Sequence, residues 1–353
     1  MDTSPLYSDH KIRGIGFYTK RLLEGFRELN PKDLVVKELK DKDEIKKADF
    51  DILHIPYFQP FFHTLPLLKK FPLALTIHDL IPIKHPKHYP VGLRGDFFWR
   101  FQKWLLKRVD LVITDSFSSK YDISGLAGYP QDRIFVIPLA AGREFEKLKV
   151  KSEKLKVKEK YGLPDKFVLC VGDVNWNKNV PGLVKACEKI NVPLVVVGKQ
   201  AVTENFDRKH PENKDLVWLQ DYFENCKKKG ADFNFLNLLG FIPTEDLVAI
   251  YNLASVYCQS SFDEGFGLPV LEAMACGCPV VCSDAGSLPE VTDKAALVVK
   301  PEINSLSCGI NRVLEDGELR AELVKSGVAR PQNFSWKKTA EKTRSIYKLL
   351  LKK

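Results

Sequence analysis

The sequence predicts an α/β protein built from two doubly wound, parallel-sheet domains. Three observations carry this. The chain has 353 residues, too many for one ordinary core and suited to two domains of roughly 150 to 180 residues. Short apolar runs recur that are continuous rather than alternating, as in strands covered on both faces. A lysine-rich duplication, "KLKVKSEKLKVKEK" at 147–160, separates the two series of runs. The expected organisation is a first domain over 1–146, a solvated linker over 147–160 and a second domain over 161–334. A C-terminal helix, 335–353, is expected to pack back on the first domain.

In chain order, "FDILHIPY" (50–57), "PLALTIH" (72–78), "LVITDS" (111–116) and "RIFVIPL" (133–139) are the expected strands of the first half. The second half repeats the plan with "KFVLCVGD" (166–173), "VPLVVVGK" (192–199), "SVYCQS" (255–260), "PVVCSD" (279–284) and "ALVVKP" (296–301). Helices fit over 179–190, over 244–253 with Thr244 as N-cap, and over 268–276, ended by Gly277. Strand–helix alternation on both sides of the charged segment gives two doubly wound domains. Residues 200–234 carry turn signals and charges and read as a loop-rich insertion.

The start of the chain departs from this plan. "RGIGFYTKRLLEGF" (13–26) reads as a glycine turn opening a helix, which should follow a strand, yet "MDTSPLYSDHKI" contains no strand-like run. The first strand of a doubly wound domain lies inside the sheet. Without it, two rows of backbone groups would lack partners, at about 1–3 kcal/mol each, against a domain stability of ~5–15 kcal/mol. The expectation is a shortened chain whose natural form begins upstream with an apolar strand.

Composition excludes several classes. Hydrophobic residues at 44% and charged residues at 28% describe a globular protein. No apolar run approaches the ~18 residues of a membrane span, and the N-terminus has no apolar signal region. Eight cysteines without scaffold spacing read as reduced thiols of a cytoplasmic protein. Cys276, Cys278 and Cys282 lack a second ligand pair for zinc and read as small core residues. Of the net charge of +9, residues 147–160 supply +5 through seven lysines and two glutamates. A nucleic-acid partner is therefore not expected; weak attraction to the inner face of an anionic membrane is.

The stretch "DEGFGLPVLEAMACGCPVV" (263–281) carries the functional signal. In a doubly wound sheet, ligands sit beyond the carboxyl ends of strands, where helices begin. Here a strand leads through a glycine loop to a helix with Pro269 in its first turn. Backbone N–H groups at Gly267 and Leu268, with the positive end of the dipole behind them, suit a phosphate. Gly265 and Gly267 let the backbone approach a ligand closely. Two carboxylates cannot be there for phosphate. Glu272, placed in the first helical turn, suits a ribose diol, and Glu264 suits a sugar beyond the diphosphate.

"EGFGLPVLEAMACGCPVV" resembles the E-x7-E signature of retaining glycosyltransferases of family 4, with the GT-B fold of two Rossmann-like domains facing across a cleft. "SDAGSLPEV" (283–291), "LGFIPTEDLVAIYNLA" (239–254) and "RGIGFYT" are similar to that family too. The resemblance implies that Glu272 holds the nucleotide ribose and that Glu264 lies beside the donor sugar. It also implies that Gly265, Phe266, Gly267 and Leu268, together with Gly16, contact the donor. His78, at the end of "PLALTIH", matches a histidine that touches the donor sugar. The family often carries an Arg and a Lys after the first strand of the second domain to neutralise the leaving diphosphate. This chain keeps Lys178 but has Asp173 after the glycine and Asn177 before the lysine.

The implied function is transfer of a hexose, mannose by overall similarity, from a nucleotide-diphosphate sugar to a glycan or lipid-linked acceptor, without a required metal. The alternative is a non-catalytic nucleotide-sugar-binding remnant. Other readings are weaker. Asp49-Phe50-Asp51 precedes its strand rather than ending it, against a metal-binding D-x-D, and "GIG" at 14–16 lacks the third glycine of a dinucleotide fingerprint. His85 and His88 sit on a proline-rich loop without a third metal ligand. No lysine is identifiable as the Schiff-base site of a phosphorylase.

Overall fold

The computed structural model describes residues 1–8, 14–145, 151–228 and 235–352. The chain divides into two compact units, Met1–Ala140 with Phe334–Lys353, and Ala141–Asn333.

In the first unit, α1 (Gly14–Leu29) and α2 (Lys42–Lys47) precede β1 (Leu53–Ile55) and β2 (Leu73–Thr76). Then come α3 (Ile81–Lys84), α4 (Gly92–Leu106), β3 (Leu111–Thr114), α5 (Phe117–Asp122) and β4 (Ile134–Val136). The four strands are parallel in the order β1-β2-β3-β4, and β1 to β3 are buried throughout. Burial of whole strands explains why they read as unbroken apolar runs.

Among the described residues, no strand is assigned ahead of α1, yet Met1–Thr3 occupies a place beside β1. The Asp2 N–H donates to the His54 carbonyl (2.9 Å), the Thr3 N–H to the Leu39 carbonyl (2.7 Å) and the Leu39 N–H to the Met1 carbonyl (3.0 Å). Met1–Thr3 therefore lies between Leu39 and β1, with the Met1 side chain buried. These three hydrogen bonds stand where unpaired backbone was expected. β1, which this segment flanks, is itself three residues long. The segment escaped sequence reading because Asp2 and Thr3, both buried, are not strand-like; the Asp2 carboxylate turns to accept the Ser4 N–H (2.9 Å).

The second unit holds α6 (Lys151–Tyr161), β5 (Val168–Val171), α7 (Val180–Lys189), β6 (Leu194–Val197), α8 (Lys214–Lys228) and β7 (Leu236–Leu239). It continues with α9 (Thr244–Leu253), β8 (Val256–Gln259), α10 (Leu268–Ala275), β9 (Val280–Ser283), α11 (Leu288–Thr292), β10 (Leu297–Val299), α12 (Ile303–Glu315) and α13 (Gly317–Ala329). Its six parallel strands run β10-β9-β8-β5-β6-β7. The chain winds outward one way from β5 to β7, then returns to β8 and winds the other way. The switch point lies between β5 and β8, where such sheets place their ligands.

Three sequence expectations differ locally. Part of the expected linker is α6, whose Val157 is buried and whose Lys160 and Tyr161 both reach the Asp246 carboxylate of α9; residues 146–150 lie outside the described residues. The expected loop 200–234 contains α8, which buries Leu216, Leu219 and Cys226 at helical spacing; residues 229–234 lie outside the described residues. Pro243, not Thr244, is the N-cap of α9.

The last helix, α14 (Trp336–Leu351), belongs to the first unit and packs on α1. It buries Trp336, Ala340, Ile346, Tyr347 and Leu350, with Ser335 capping Lys338 N–H. The Tyr347 ring stacks on Phe26, and its hydroxyl is hydrogen-bonded to His54 Nδ1 (2.6 Å).

Candidate active site

In the second unit, the loops following β5 and β8 meet at the switch point and are knitted by their own polar groups. The Phe262 N–H donates to the Asn177 carbonyl (2.7 Å), and the Asn177 amide to the Asp263 carbonyl (3.1 Å). Asn179, in the left-handed region at φ 52°, donates to the Ser260 and Pro301 carbonyls. Trp176 stacks on Phe262 with ring centres 5.2 Å apart. Asn177, at a position where the sequence comparison expects a cation, thus ties one loop to the other.

These loops set Lys178 against Glu264. The ammonium lies 2.8 Å from Oε1 and 2.7 Å from Oε2. Glu264 Oε2 also accepts from Ser261 Oγ (3.1 Å) and Gln259 Nε2 (3.3 Å). The Glu264 carbonyl accepts both the N–H and the hydroxyl of Ser287, each at 3.0 Å. Gly286, at φ 56°, crosses so closely that a Cβ there would stand 2.4 Å from the Glu264 carbonyl oxygen. A glycine is required on both counts.

Gly265, Phe266 and Gly267 carry the chain into α10. Phe266 is buried, and Gly267 is the helix N-cap in the left-handed region (φ 90°), with no side chain capping the end. Leu268 and Pro269 begin the helix. Glu272 is the fifth helical residue, one turn in rather than within the first turn, and is buried. Its Oε2 accepts the Tyr251 hydroxyl (2.9 Å). Burial, reinforced by the Glu272 charge, pushes the Tyr251 phenol well up. The Tyr257 ring lies 5.7 Å from that of Tyr251, and its hydroxyl donates to Gln259, which bonds Glu264. A tyrosine pair and a glutamine therefore join the surroundings of the two glutamates.

His78 and Gly16 belong to the first unit. His78 follows β2, and its Nδ1 lies 2.6 Å from Asp115 Oδ2 at the end of β3. Burial acts to lower the imidazole pKa, but the Asp115 charge and hydrogen bond, with Asp79, outweigh it and leave it raised. Nε2 is buried without a hydrogen-bond partner. The Tyr18 ring meets the imidazole edge-on at 4.7 Å. Gly16 is buried in the first turn of α1. Among the described residues, no cluster of three or more His, Cys, Asp or Glu is arranged to hold a metal.

A family described as "Glycosyl transferases group 1" matches residues 151–330, and "Glycosyltransferase Family 4" matches 11–141. The chain belongs to these glycosyltransferases. The O-antigen chain mannosyltransferase B of Escherichia coli is 31% identical over 337 residues, covering 93% of this chain and 80% of that protein. The serotype-specific mannosyltransferase WbdA of Escherichia coli is 28% identical over 270 residues, 74% of this chain but 32% of WbdA. Among solved structures, Anabaena HepE in complex with UDP and glucose aligns with a TM-score of 0.64 at 22% identity, over 79% of this chain and 72% of that one. That likeness gives this glycosyltransferase its GT-B fold.

The comparison leaves the roles of individual residues to chemistry. Sequence reasoning named Lys178, Glu264 and Glu272 but missed Tyr251, Gln259, Ser261 and Ser287, which hold the glutamates. The signal for Tyr251 and Ser287 lay inside "LGFIPTEDLVAIYNLA" and "SDAGSLPEV"; their contacts are set by tertiary packing, which spacing alone does not encode.

Proposed function

We propose that this glycosyltransferase moves a hexose, mannose, from a nucleotide-diphosphate sugar to a glycan or lipid-linked acceptor with retention at the anomeric carbon. What supports the donor assignment most is the pairing of Lys178 with Glu264 across the two switch-point loops, beside a helix end left without a side-chain cap. Lys178 and the start of α10 at Leu268 stabilise the diphosphate as it leaves. Glu272 accepts from the ribose diol, held in place by Tyr251. The backbone of Gly265, Phe266 and Gly267 meets the phosphates and sugar. Glu264 and His78 act on the sugar, and Gly16 contributes to the donor site. The reaction takes place on the cytoplasmic side, and no metal is required, so EDTA leaves turnover intact.

The test has two stages. Nucleoside diphosphates are screened by thermal shift, where a ligand at 100 times its Kd adds about 2.7 kcal/mol. Turnover of the matching radiolabelled nucleotide sugar then follows, with product anomeric configuration read by NMR. Binding without turnover would favour the second reading, a nucleotide-sugar-binding remnant, which Asp173 and Asn177 support because they stand where a cation is expected. Inversion, or strict Mn²⁺ dependence, would overturn the mechanism.

A further inference from the structure

Beside the His78 imidazole lies a carboxylate that stability alone does not explain. Asp115 directly follows β3, and its side chain is 3% exposed against 20% for His78. The carboxylate is thus shut away while part of the imidazole stays open to solvent. Asp115 Oδ2 lies 2.6 Å from Nδ1, a charge-assisted distance, and Oδ1 is buried without a hydrogen-bond partner. The neighbouring helix α5 does not require it. Ser116 caps that helix, its Oγ accepting the Ser119 N–H at 3.0 Å. A carboxylate buried with an unpaired oxygen costs stability, so its purpose lies in what it does to His78.

A carboxylate can only accept a hydrogen bond, so Nδ1 carries the proton between them. Nε2 is then the nitrogen left to change, bare in the neutral ring and an N–H in the cation. The groups facing the ring decide between the two forms. Burial opposes the cation, but the Asp115 charge and hydrogen bond, with Asp79 and the Pro56 carbonyl, outweigh it and leave the pKa raised. The other titratable neighbours are neutral. Tyr18 on α1 meets the ring edge-on, and burial pushes its phenol well up. His54 on β1, joined to Tyr18 through Thr76, is pushed down to about 3, mainly by burial. The same two hydrogen bonds hold the Tyr18 ring against which the imidazole rests.

Nε2 has no hydrogen-bond partner. A buried donor calls for one, and a sugar hydroxyl supplies it. We propose that Asp115 is a positioning residue for transfer: by holding Nδ1 it keeps His78 turned and protonated so that Nε2–H donates to a hydroxyl of the donor sugar. A donor fixed in advance needs no reorganisation when the sugar arrives. Asp115 itself meets no substrate. The proposal rests on the reading that His78 acts on the sugar.

The experiment compares wild type, Asp115→Asn, His78→Ala and the double variant. Asparagine keeps the shape and can still accept from Nδ1, but carries no charge. Asp115→Asn is expected to lower kcat about tenfold and to move the alkaline limb of the pH profile to lower pH. Its affinity for nucleoside diphosphate, read by thermal shift, is expected to be unchanged. In the His78→Ala background the same substitution is expected to remove no further turnover, because Asp115 acts through His78. Nitrogen-15 NMR of the full chain without donor is expected to show His78 protonated at Nδ1 in wild type, and titrating at lower pH in Asp115→Asn. A bare Nδ1 in wild type, or equal titrations in the two proteins, overturns the pairing itself. Further loss of turnover in the double variant assigns Asp115 to the fold alone and also overturns the proposal. A shifted titration with an unmoved alkaline limb overturns it through the reading of His78 at the sugar, with the pairing intact.

Discussion

Lys178 places its ammonium within 2.8 Å of both carboxylate oxygens of Glu264, joining the loop after β5 to the loop after β8. The proposed function assigns one to the leaving diphosphate and the other to the sugar, so the two groups that meet the donor also hold each other. Replacing Lys178 with Met leaves a largely buried carboxylate with Ser261 and Gln259 as its donors. The second unit is expected to lose about 1–3 kcal/mol, and nucleoside-diphosphate affinity should fall together with turnover. Glu264→Gln should depress turnover more than that affinity. Denaturation, calorimetry and kinetics of both variants and their combination separate the roles, and additivity would mean that the pair is uncoupled.

Glu272 and Tyr251 form the second pair, with the phenol donating to the carboxylate at 2.9 Å. Tyr251→Phe keeps the packing but frees Glu272 to turn. Donor affinity is expected to fall about tenfold, on the order of 1.4 kcal/mol, and Glu272→Ala should fall further. In the Ala variant a 2′-deoxy donor should lose little more. Full discrimination against the deoxy donor in that variant would show that Glu272 does not read the ribose.

Much of this was legible in the sequence for a physical reason. Strands buried on both faces, such as Leu194–Val197 within "PLVVV", announce themselves as continuous apolar stretches, and Gly267 with Pro269 marks the opening of α10. What stayed hidden has no local signature. Asp2 and Thr3 hold a buried place beside β1 although neither is apolar. In α8, the apolar positions are diluted by charges.

Gly286 tests the positioning of Glu264 from outside the site. Alanine there meets both a left-handed backbone and the Glu264 backbone, whose nitrogen would lie 2.5 Å from the new Cβ. The expected result is a loss of about 1–3 kcal/mol together with at least a tenfold drop in turnover. A variant that keeps full turnover would show that Glu264 tolerates displacement.

Gly25 makes the corresponding close approach in the first unit, where a Cβ would stand 2.4 Å from the Trp336 carbonyl oxygen. Gly25→Ala should push α14 away from α1 and cost about 1–3 kcal/mol. Deleting 335–353 should loosen the first unit despite the distance in sequence. Limited proteolysis would show new cleavage before residue 140, and cleavage confined to the second unit would contradict this.

His54 gives the first unit a defined response to acid. The imidazole is buried on β1, with Nδ1 hydrogen-bonded to Tyr347 and Nε2 to Thr76 (2.8 Å). Burial, with the charge of the Met1 amino group next, pushes its pKa down to about 3 from an ordinary 6.5. The folded state therefore takes up the proton less readily than the unfolded chain. The sign follows: this group's contribution is complete above pH 6.5 and is lost progressively as pH falls from 6.5 towards 3. The loss across that window is roughly 4 to 5 kcal/mol. Because Tyr347 is on α14, protonation should release the C-terminal helix together with the sheet. Denaturant titrations from about pH 7 down to about pH 4 should show the first unit weakening. His54→Asn, less stable near neutral pH, should show a flatter dependence over the same range. Equal slopes in the two proteins would mean that other groups carry the acid response.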